Sequence, residues 1–461
     1  MTGQECKHPI RIHGLCGCCG AEIESGSEER LYTVLHNNSS VLLNVSEAAR
    51  VNEASYERLM REGKMVLLLD LDQTVIHTSI TRKFSKYFQD LSKYPVGKPS
   101  SREEQAIREV LEINVDGFTY YVKLRDGLRR FLAKAAEYFE IHIYTMGNRP
   151  YGTKMAEVLD RDKKIFGNRI VTRDDNLGCF EKDLARIFPT NTRNVVILDD
   201  RMDVWRYSPH VFPVRPYVFF RSGDINSPES LQGRVSEEWP ADESTNNGEV
   251  GSGKGEVGSG NGKGEVGDGE AGEGEEGEGG GRKEELVRKI VGECIANLFD
   301  NELDRILGHL VSIHEEYFRT REDVAVILNR RKNLFAGCVA RFVSSFFETE
   351  RHLSALFVHF GGEVDIYIGK KTTHAIMAGG EIYLGMLPSK TIKYVSVGWV
   401  FESIYALKRL NEEDFLLSSG LGTYSAESES SGSSGSSGLS GGESGFSESE
   451  DKLYDSLVSK W

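Results

Sequence analysis

Three stretches of the chain are apolar over successive residues with little interruption: Met65–Leu69 (MVLLL), Glu140–Tyr144 (EIHIY) and Asn194–Leu198 (NVVIL). A strand with one wet face alternates polar and apolar residues, whereas a strand covered on both faces of a parallel sheet does not. The three runs therefore predict buried strands. Between the first two, Phe118–Leu124 alternates as a half-exposed strand does, and Leu128, Leu132, Ala135 and Phe139 recur at helical spacing. Strands alternating with helices predict an open α/β sheet over residues 50–240. Such sheets bind ligands beyond the carboxyl ends of their strands.

A second patterned region lies further on. Leu334–Val343 reads as a strand and Glu350–Phe360 as a helix ending at Gly361-Gly362. Glu363–Ile368, Thr372–Met377 and Tyr394–Val397 read as strands, and Trp399 as a core residue of a closing helix. Residues 330–417 thus form a compact α/β unit. Ahead of it, in 284–329, Leu286, Ile290, Leu298, Ile306, Leu310, Ile313 and Tyr317 follow a helical stripe. That stripe is expected to pack on the compact unit or on the larger sheet.

Elsewhere the pattern fails. Gly248–Gly281 holds 16 glycines in 34 residues, and Gly-Glu-Val-Gly recurs at 248–251, 255–258 and 264–267. So little apolar surface cannot offset the entropy of ordering, so 241–283 reads as a disordered linker and not a solenoid. The Ser/Gly-rich stretch 418–450 reads the same way. Gly248–Gly281 and Ser418–Glu450 carry −7 and −5 of the formal −15, which leaves the folded parts near neutral. That argues against a strongly basic nucleic-acid-binding body. No apolar run approaches the ~18 residues of a membrane helix, and MTGQECKHPI has no signal-peptide core. The expectation is a soluble intracellular protein without a disulfide framework.

The chemistry follows the apolar runs. After MVLLL comes Asp70-Leu71-Asp72-Gln73-Thr74, after EIHIY comes Thr145-Met146-Gly147, and after NVVIL comes Asp199-Asp200. Three buried strands so deliver oxygen ligands to one edge of a sheet. Asp70 and Asp72, two apart, share a side in extended chain. Carboxylates so crowded repel unless a hard cation sits among them, and Mg²⁺ suits oxygen donors completed by water and a phosphate oxygen.

DLDQTVIHT, YTMGNR and VVILDD resemble the three motifs of the haloacid-dehalogenase-like phosphatases. They are more closely similar to the Fcp-type phosphatases of the RNA polymerase II carboxy-terminal domain. YYVKLRDGLRRFL at 120–132, FEKDLARIFP at 180–189, DDRMDVW at 199–205 and GDIN at 223–226 extend the likeness over 64–226. Residues 330–417, with TTHAI and VGWVFESIYAL, resemble a BRCT domain. The fold implied is a haloacid-dehalogenase-like open parallel sheet with flanking helices, plus a small α/β BRCT domain and disordered Gly/Ser/Glu-rich segments.

The resemblance implies that Asp70 is the nucleophile and that Asp72 is general acid, then general base. It implies Mg²⁺ held by Asp70, the Asp72 backbone carbonyl and Asp199, with Asp200 ordering a metal-bound water. Thr145 and Lys182 match phosphate-binding residues, Arg125 an essential arginine placed with them, and Thr74 and Asp160 supporting positions. Each of three has a plainer alternative: Lys182 as a surface lysine near a helix start, Arg125 as a structural ion pair, Asp160 as a helix C-terminal acid. Asp126 stands where the family commonly has proline and is expected to cap the next helix. The implied substrate is the phosphorylated heptad-repeat tail of RNA polymerase II, and the implied location the nucleus. The competing readings are a phosphatase for another phosphoprotein and a BRCT-bearing transcription scaffold. No direct nucleic-acid contact is expected.

Two features stand at the ends. In the head, 1–25, Cys6, His8, Cys16 and Cys19 offer four soft ligands for a structural Zn²⁺, with His13 and Cys18 as competitors and a reduced, loosely ordered head as the alternative. At 451–461, Leu453, Leu457 and Trp461 form an apolar stripe behind acids. Fcp-type phosphatases resemble this in ending with an acidic–hydrophobic segment that binds the large subunit of TFIIF, which is therefore an expected partner.

Overall fold

The computed structural model describes residues 6–23, 31–32, 41–94, 98–176, 181–221, 276–344, 347–378 and 392–417. The greater part of the expected linker, the Ser/Gly tail, GDIN and the motif at 451–461 lie outside the described residues.

In chain order, β1 (Ile10–Ile12), β2 (Leu15–Cys16) and β3 (Val41–Leu43) form a small antiparallel sheet, ordered β2-β1-β3. Asn44 then starts α1 (Val45–Glu62), its side chain accepting from the Glu47 amide at 2.9 Å. There follow β4 (Met65–Leu69), β5 (Ile76–Ser79), α2 (Arg82–Ser92), α3 (Arg102–Arg108), β6 (Leu111–Val115), β7 (Phe118–Leu124), α4 (Leu128–Tyr138), β8 (Phe139–Tyr144), α5 (Arg149–Leu159), β9 (Ile170–Val171), β10 (Val195–Asp199) and β11 (Val211–Pro213). The main sheet is wholly parallel, ordered β11-β10-β4-β8-β9. Antiparallel β5-β7-β6 forms a separate sheet between β4 and β8 in sequence.

The uniform apolarity of β4 now has a cause. Met65, Leu67 and Leu69 face a core with Leu128, Phe131 and Leu132 of α4. Val66 and Leu68 face the opposite core, with Leu59 of α1 and Phe188. All five residues are buried.

Beyond the linker come α6 (Glu276–Cys294), α7 (Glu302–Thr320), α8 (Val324–Lys332), β12 (Val339–Ser344), α9 (Phe347–His359), β13 (Glu363–Val364), β14 (His374–Ala378), β15 (Lys393–Ser396) and α10 (Gly398–Ala406). Parallel strands ordered β13-β12-β14-β15, with α9 and α10, make the second α/β unit, over the residues whose sequence resembles a BRCT domain. Trp399 is fully buried there and donates from Nε1 to the Leu410 carbonyl at 3.0 Å.

Several expectations change in detail. Of the stripe, Leu286 and Ile290 fall on α6, Ile306 to Tyr317 on α7 and Leu298 between them, and both helices pack on the first α/β unit. Ile290 joins Phe84 and Ile107 of α2 and α3, while Ile306, Leu310 and Ile313 join the α4 core. Helix α6 begins at Glu276, inside the expected linker, and Lys283 anchors it on Glu104 at 3.1 Å. Strand β12 starts at Val339 because Leu334–Cys338 turns through Gly337, φ 78°. Strand β13 ends at Val364, and the following Ile366 and Tyr367 are exposed. Asp126 does not cap α4. Gly127, φ 77°, holds that position without a side-chain cap, and Asp126 Oδ2 accepts from the Asp300 amide at 3.1 Å.

Candidate active site

The site gathers at the carboxyl ends of β4, β8 and β10. Asp70 follows β4, and its amide donates to the Leu198 carbonyl of β10 at 3.0 Å. The chain then folds back sharply: the Val75 and Ile76 amides both donate to the Leu71 carbonyl, at 2.9 and 3.0 Å, and Gln73 takes φ 62°. That turn stands Asp70 and Asp72 on one small loop. Thr74 ties the loop to the next strand. Its hydroxyl donates to Asp200 Oδ1 at 2.9 Å and accepts from the Asp200 amide at 3.0 Å.

The carboxylates of Asp70, Asp199 and Asp200 offer oxygens within 4.8 Å of one another, all buried. Among the described residues, the ammonium of Lys182 bonds two of them directly, and the guanidinium of Arg201 also faces Asp200. Lys182 Nζ lies 2.6 Å from Asp70 Oδ1 and 2.6 Å from Asp199 Oδ2. Trp205 Nε1 donates to the same Asp199 oxygen at 2.8 Å. The charges do not balance. Burial, then repulsion from Asp199, push the Asp70 carboxyl up to about 6 despite Lys182. Burial and the charges of Asp199 and Asp70 push Asp200 well above the carboxylate range. Burial works against the Lys182 ammonium, but Asp199 and Asp70 outweigh it and hold its pKa above the usual lysine value. Three carboxylates facing one ammonium have room for a hard divalent cation with oxygen preference, and Mg²⁺ fits that donor set.

Asp72 is not part of this trio. It accepts from the Tyr151 hydroxyl at 2.6 Å, and that hydroxyl also meets Thr78 Oγ1 at 2.8 Å. The TMGNRPY segment explains how Tyr151 arrives. Thr145, buried at the end of β8, accepts from the Gly147 amide at 3.0 Å, and Asn148 caps α5 through the Tyr151 amide at 3.0 Å. A Cβ on Gly147 would lie 2.5 Å from the Tyr151 ring, so only glycine admits the tyrosine.

Two residues expected near phosphate or in support have other partners. Arg125 is fully buried behind the loop. Its Nε and one terminal nitrogen donate to both Asp300 oxygens, each at 2.9 Å, and the other donates to the Thr74 carbonyl at 2.7 Å. The ion-pair alternative describes that geometry. Asp160 accepts from the amides of Lys164, Ile165 and Phe166 at 3.0, 2.7 and 2.8 Å and organises the turn after α5. Sequence reasoning missed Tyr151 and Asp300. Tyr151 sits six residues beyond Thr145 inside a recognisable motif; Asp300 had no signal, because its partner is 175 positions away.

Residues 65–231 match the NLI interacting factor-like phosphatase family. An RNA polymerase II C-terminal domain phosphatase of Encephalitozoon cuniculi is 32% identical over 414 residues, covering 88% of this chain and 93% of that protein. The chain belongs to this phosphatase family. The Saccharomyces cerevisiae relative of the same name is 28% identical over 482 residues, covering 89% of this chain and 65% of that protein. Among solved structures, that of Fcp1, described as an essential RNA polymerase II CTD phosphatase, has a TM-score of 0.58 at 26% identity, covering 80% of this chain and all of that one. The chain is therefore a protein phosphatase. In this family member the Cys6, His8, Cys16 and Cys19 ligand atoms also lie within 4.8 Å of one another, far in sequence from the carboxylates.

Proposed function

We propose that this phosphatase is Mg²⁺-dependent and removes phosphate from serine or threonine in the heptad-repeat tail of RNA polymerase II through an aspartyl-phosphate. The observation that carries the reading is the separation of the two acids on one loop. Asp70 stands with Asp199, Asp200 and Lys182, while Asp72 is held apart by Tyr151. One acid so placed serves as nucleophile and the other as proton carrier.

An Asp70 oxygen attacks phosphorus, and the bond from phosphorus to the serine oxygen breaks. Asp72, protonated at the start, gives its proton to that departing oxygen. Asp72, now a carboxylate, takes a proton from water, whose oxygen attacks the acyl phosphate. Inorganic phosphate leaves and Asp70 is regenerated. Asp70, Asp199 and Asp200 would hold Mg²⁺, which supplies positive charge for the phosphoryl oxygens when bound. Lys182 supplies a second charge beside the nucleophile, and the Thr145 hydroxyl a polar wall. Arg125 holds the loop by the Thr74 carbonyl.

That substrate class supports a nuclear location. The segment 451–461 is proposed to bind the large subunit of TFIIF through Leu453, Leu457 and Trp461. The test of substrate is direct: phosphate release from phospho-heptad peptides against composition-matched phosphopeptides, with and without Mg²⁺. Higher kcat/KM on the heptads supports the reading. Equal rates on all peptides refute the substrate, and metal-independent rates refute the cofactor.

A further inference from the structure

The head has almost no core of its own. Its strands are three, two and three residues long, and Cys16 and Leu43 are its buried apolar side chains among the described residues. So small a sheet needs a staple. What it has instead is a meeting of thiols and an imidazole. Cys6 Sγ lies 3.8 Å from Cys16 Sγ, and Cys19 Sγ lies 3.4 Å from His8 Nδ1. A tetrahedral ion with bonds of about 2.3 Å to sulfur and 2.0–2.1 Å to nitrogen sets its ligands about 3.8 Å apart for two sulfurs and about 3.6 Å for sulfur and nitrogen. A disulfide needs its sulfurs about 2.05 Å apart and would use only two of the four groups.

We propose that Cys6, His8, Cys16 and Cys19 bind one structural Zn²⁺. The backbone is shaped for it. The turn from β1 to β2 passes through Gly14, φ 84°, and sets Cys16 opposite Arg11. Gly20, φ 73°, donates to the Cys16 carbonyl at 2.9 Å and closes the turn that carries Cys19. The Cys18 amide donates to Cys16 Sγ at 3.3 Å, an interaction that favours a thiolate. The competing ligands of the sequence separate here by position and not by exposure: Cys19 is exposed like Cys18 and His13, but its ligand atom lies with those of Cys6, His8 and Cys16, and theirs do not complete that group. Three sulfurs and one nitrogen select a soft or borderline ion, unlike the all-oxygen site at the sheet edge.

The ion also fastens the head to the body. Strand β1 pairs with β3, and the Asn44 amide donates to the Pro9 carbonyl at 2.9 Å immediately before α1. Helix α1 in turn grips the sheet, Asn52 accepting from the Thr190 and Asn191 amides at 3.1 and 2.9 Å. Metal loss should therefore loosen the head and leave the carboxylate site in place.

The test uses the full chain, purified without chelator, its metal content and p-nitrophenyl phosphatase activity measured together. The expected result is about one Zn²⁺ per chain, retained in Cys18→Ser and in Asp199→Asn, and absent from the Cys16→Ser/Cys19→Ser double variant with turnover unchanged. Cobalt added to metal-free wild type should give the strong visible bands of tetrahedral thiolate coordination, and none in the double variant. Zinc retained in the double variant overturns the proposal. So does a wild type that takes up neither zinc nor tetrahedral cobalt, or one whose intact mass is two hydrogens lighter.

Discussion

The carboxylates Asp70, Asp199 and Asp200 stand at the ends of β4 and β10, two adjacent, fully buried inner strands, whereas Cys6, Cys16 and Cys19 stand on and beside a sheet of strands two and three residues long. Backbone bonds place the first group: the Asp70 amide on Leu198, the Asp200 amide on Thr74. Backbone bonds also shape the turns of the second, the Cys16 amide on Ala21 and the Gly20 amide on Cys16, but among the described residues of the head only Cys16 and Leu43 are buried apolar side chains behind them. The difference teaches what a metal would do in each. At the sheet edge the fold assembles charges at a cost in stability, and the proposed Mg²⁺ would relieve the repulsion and serve chemistry. In the head few apolar contacts assemble the ligands, and the proposed Zn²⁺ would stand in for a core.

The largest effect should come from Asp70→Asn. It removes the proposed nucleophile, so turnover of p-nitrophenyl phosphate should fall on the order of 10⁴-fold. Melting temperature measured without Mg²⁺ should stay level or rise, because one of three repelling buried carboxylates is gone while Lys182 keeps Asp199. A variant that is inactive because it has unfolded would break the comparison.

Chelation sharpens it. Stripping metal from the whole chain should cut turnover by about 10²-fold or more while amide exchange in β4 is unaltered and exchange in β1 and β3 accelerates. Mg²⁺ alone should then restore turnover and not head protection; Zn²⁺ should restore the head. Recovery of both by one ion would merge the two centres into one linked site.

How much of this could be read without coordinates divides along the same line. MVLLL, EIHIY and NVVIL announce buried strands because each packs on both faces, and the acids that follow them land at one edge by topology alone. The four head ligands could be named from the sequence, but only beside His13 and Cys18 as competitors, since spacing alone cannot say which thiols and imidazole meet in space. The capping expected of Asp126 failed, and the ion-pair partner of Arg125 could not be named, for one reason. Both bond to Asp300, which reaches them from across a linker of Gly and Glu residues, and no local pattern encodes a contact that distant.

Arg125 and Asp300 provide a control, a buried charge pair balanced without metal. Asp300→Asn strands a guanidinium whose side chain has no solvent exposure, so stability should drop by about 3 kcal/mol. The Thr74 loop should loosen with it, lowering kcat more than it raises KM. Denaturation and kinetics measure both, and neither the native ion pair's contribution nor its loss should depend on chelator. A stability loss that appears only in metal-free protein would show that the pair is coupled to the carboxylate site after all.

The smallest effect is a pH response in a fourth, equally metal-free cluster. Glu104 is buried, which by itself raises its pKa, yet the Ser100 amide, Arg108, the Ser100 hydroxyl and Lys283 together hold it down at about 2. Its folded value lies below the unfolded carboxylate value of 4.5. The stabilisation is therefore complete above that unfolded value and is lost as pH falls from about 4.5 toward about 2. Because Lys283 belongs to α6, the loss should be felt where that helix meets α2 and α3. Glu104→Gln should remove on the order of 1 kcal/mol at neutral pH and flatten the acid limb of the stability curve. The head, by contrast, should fail through protonation of thiolates and imidazole, which displaces metal rather than breaking an ion pair. Comparing acid unfolding of α6 with that of β1, with and without excess Zn²⁺, separates them: added zinc should shift the midpoint of β1 and leave α6 where it was. A zinc-dependent midpoint for α6, or an unchanged acid limb in Glu104→Gln, would remove the ground for treating the cluster as metal-free.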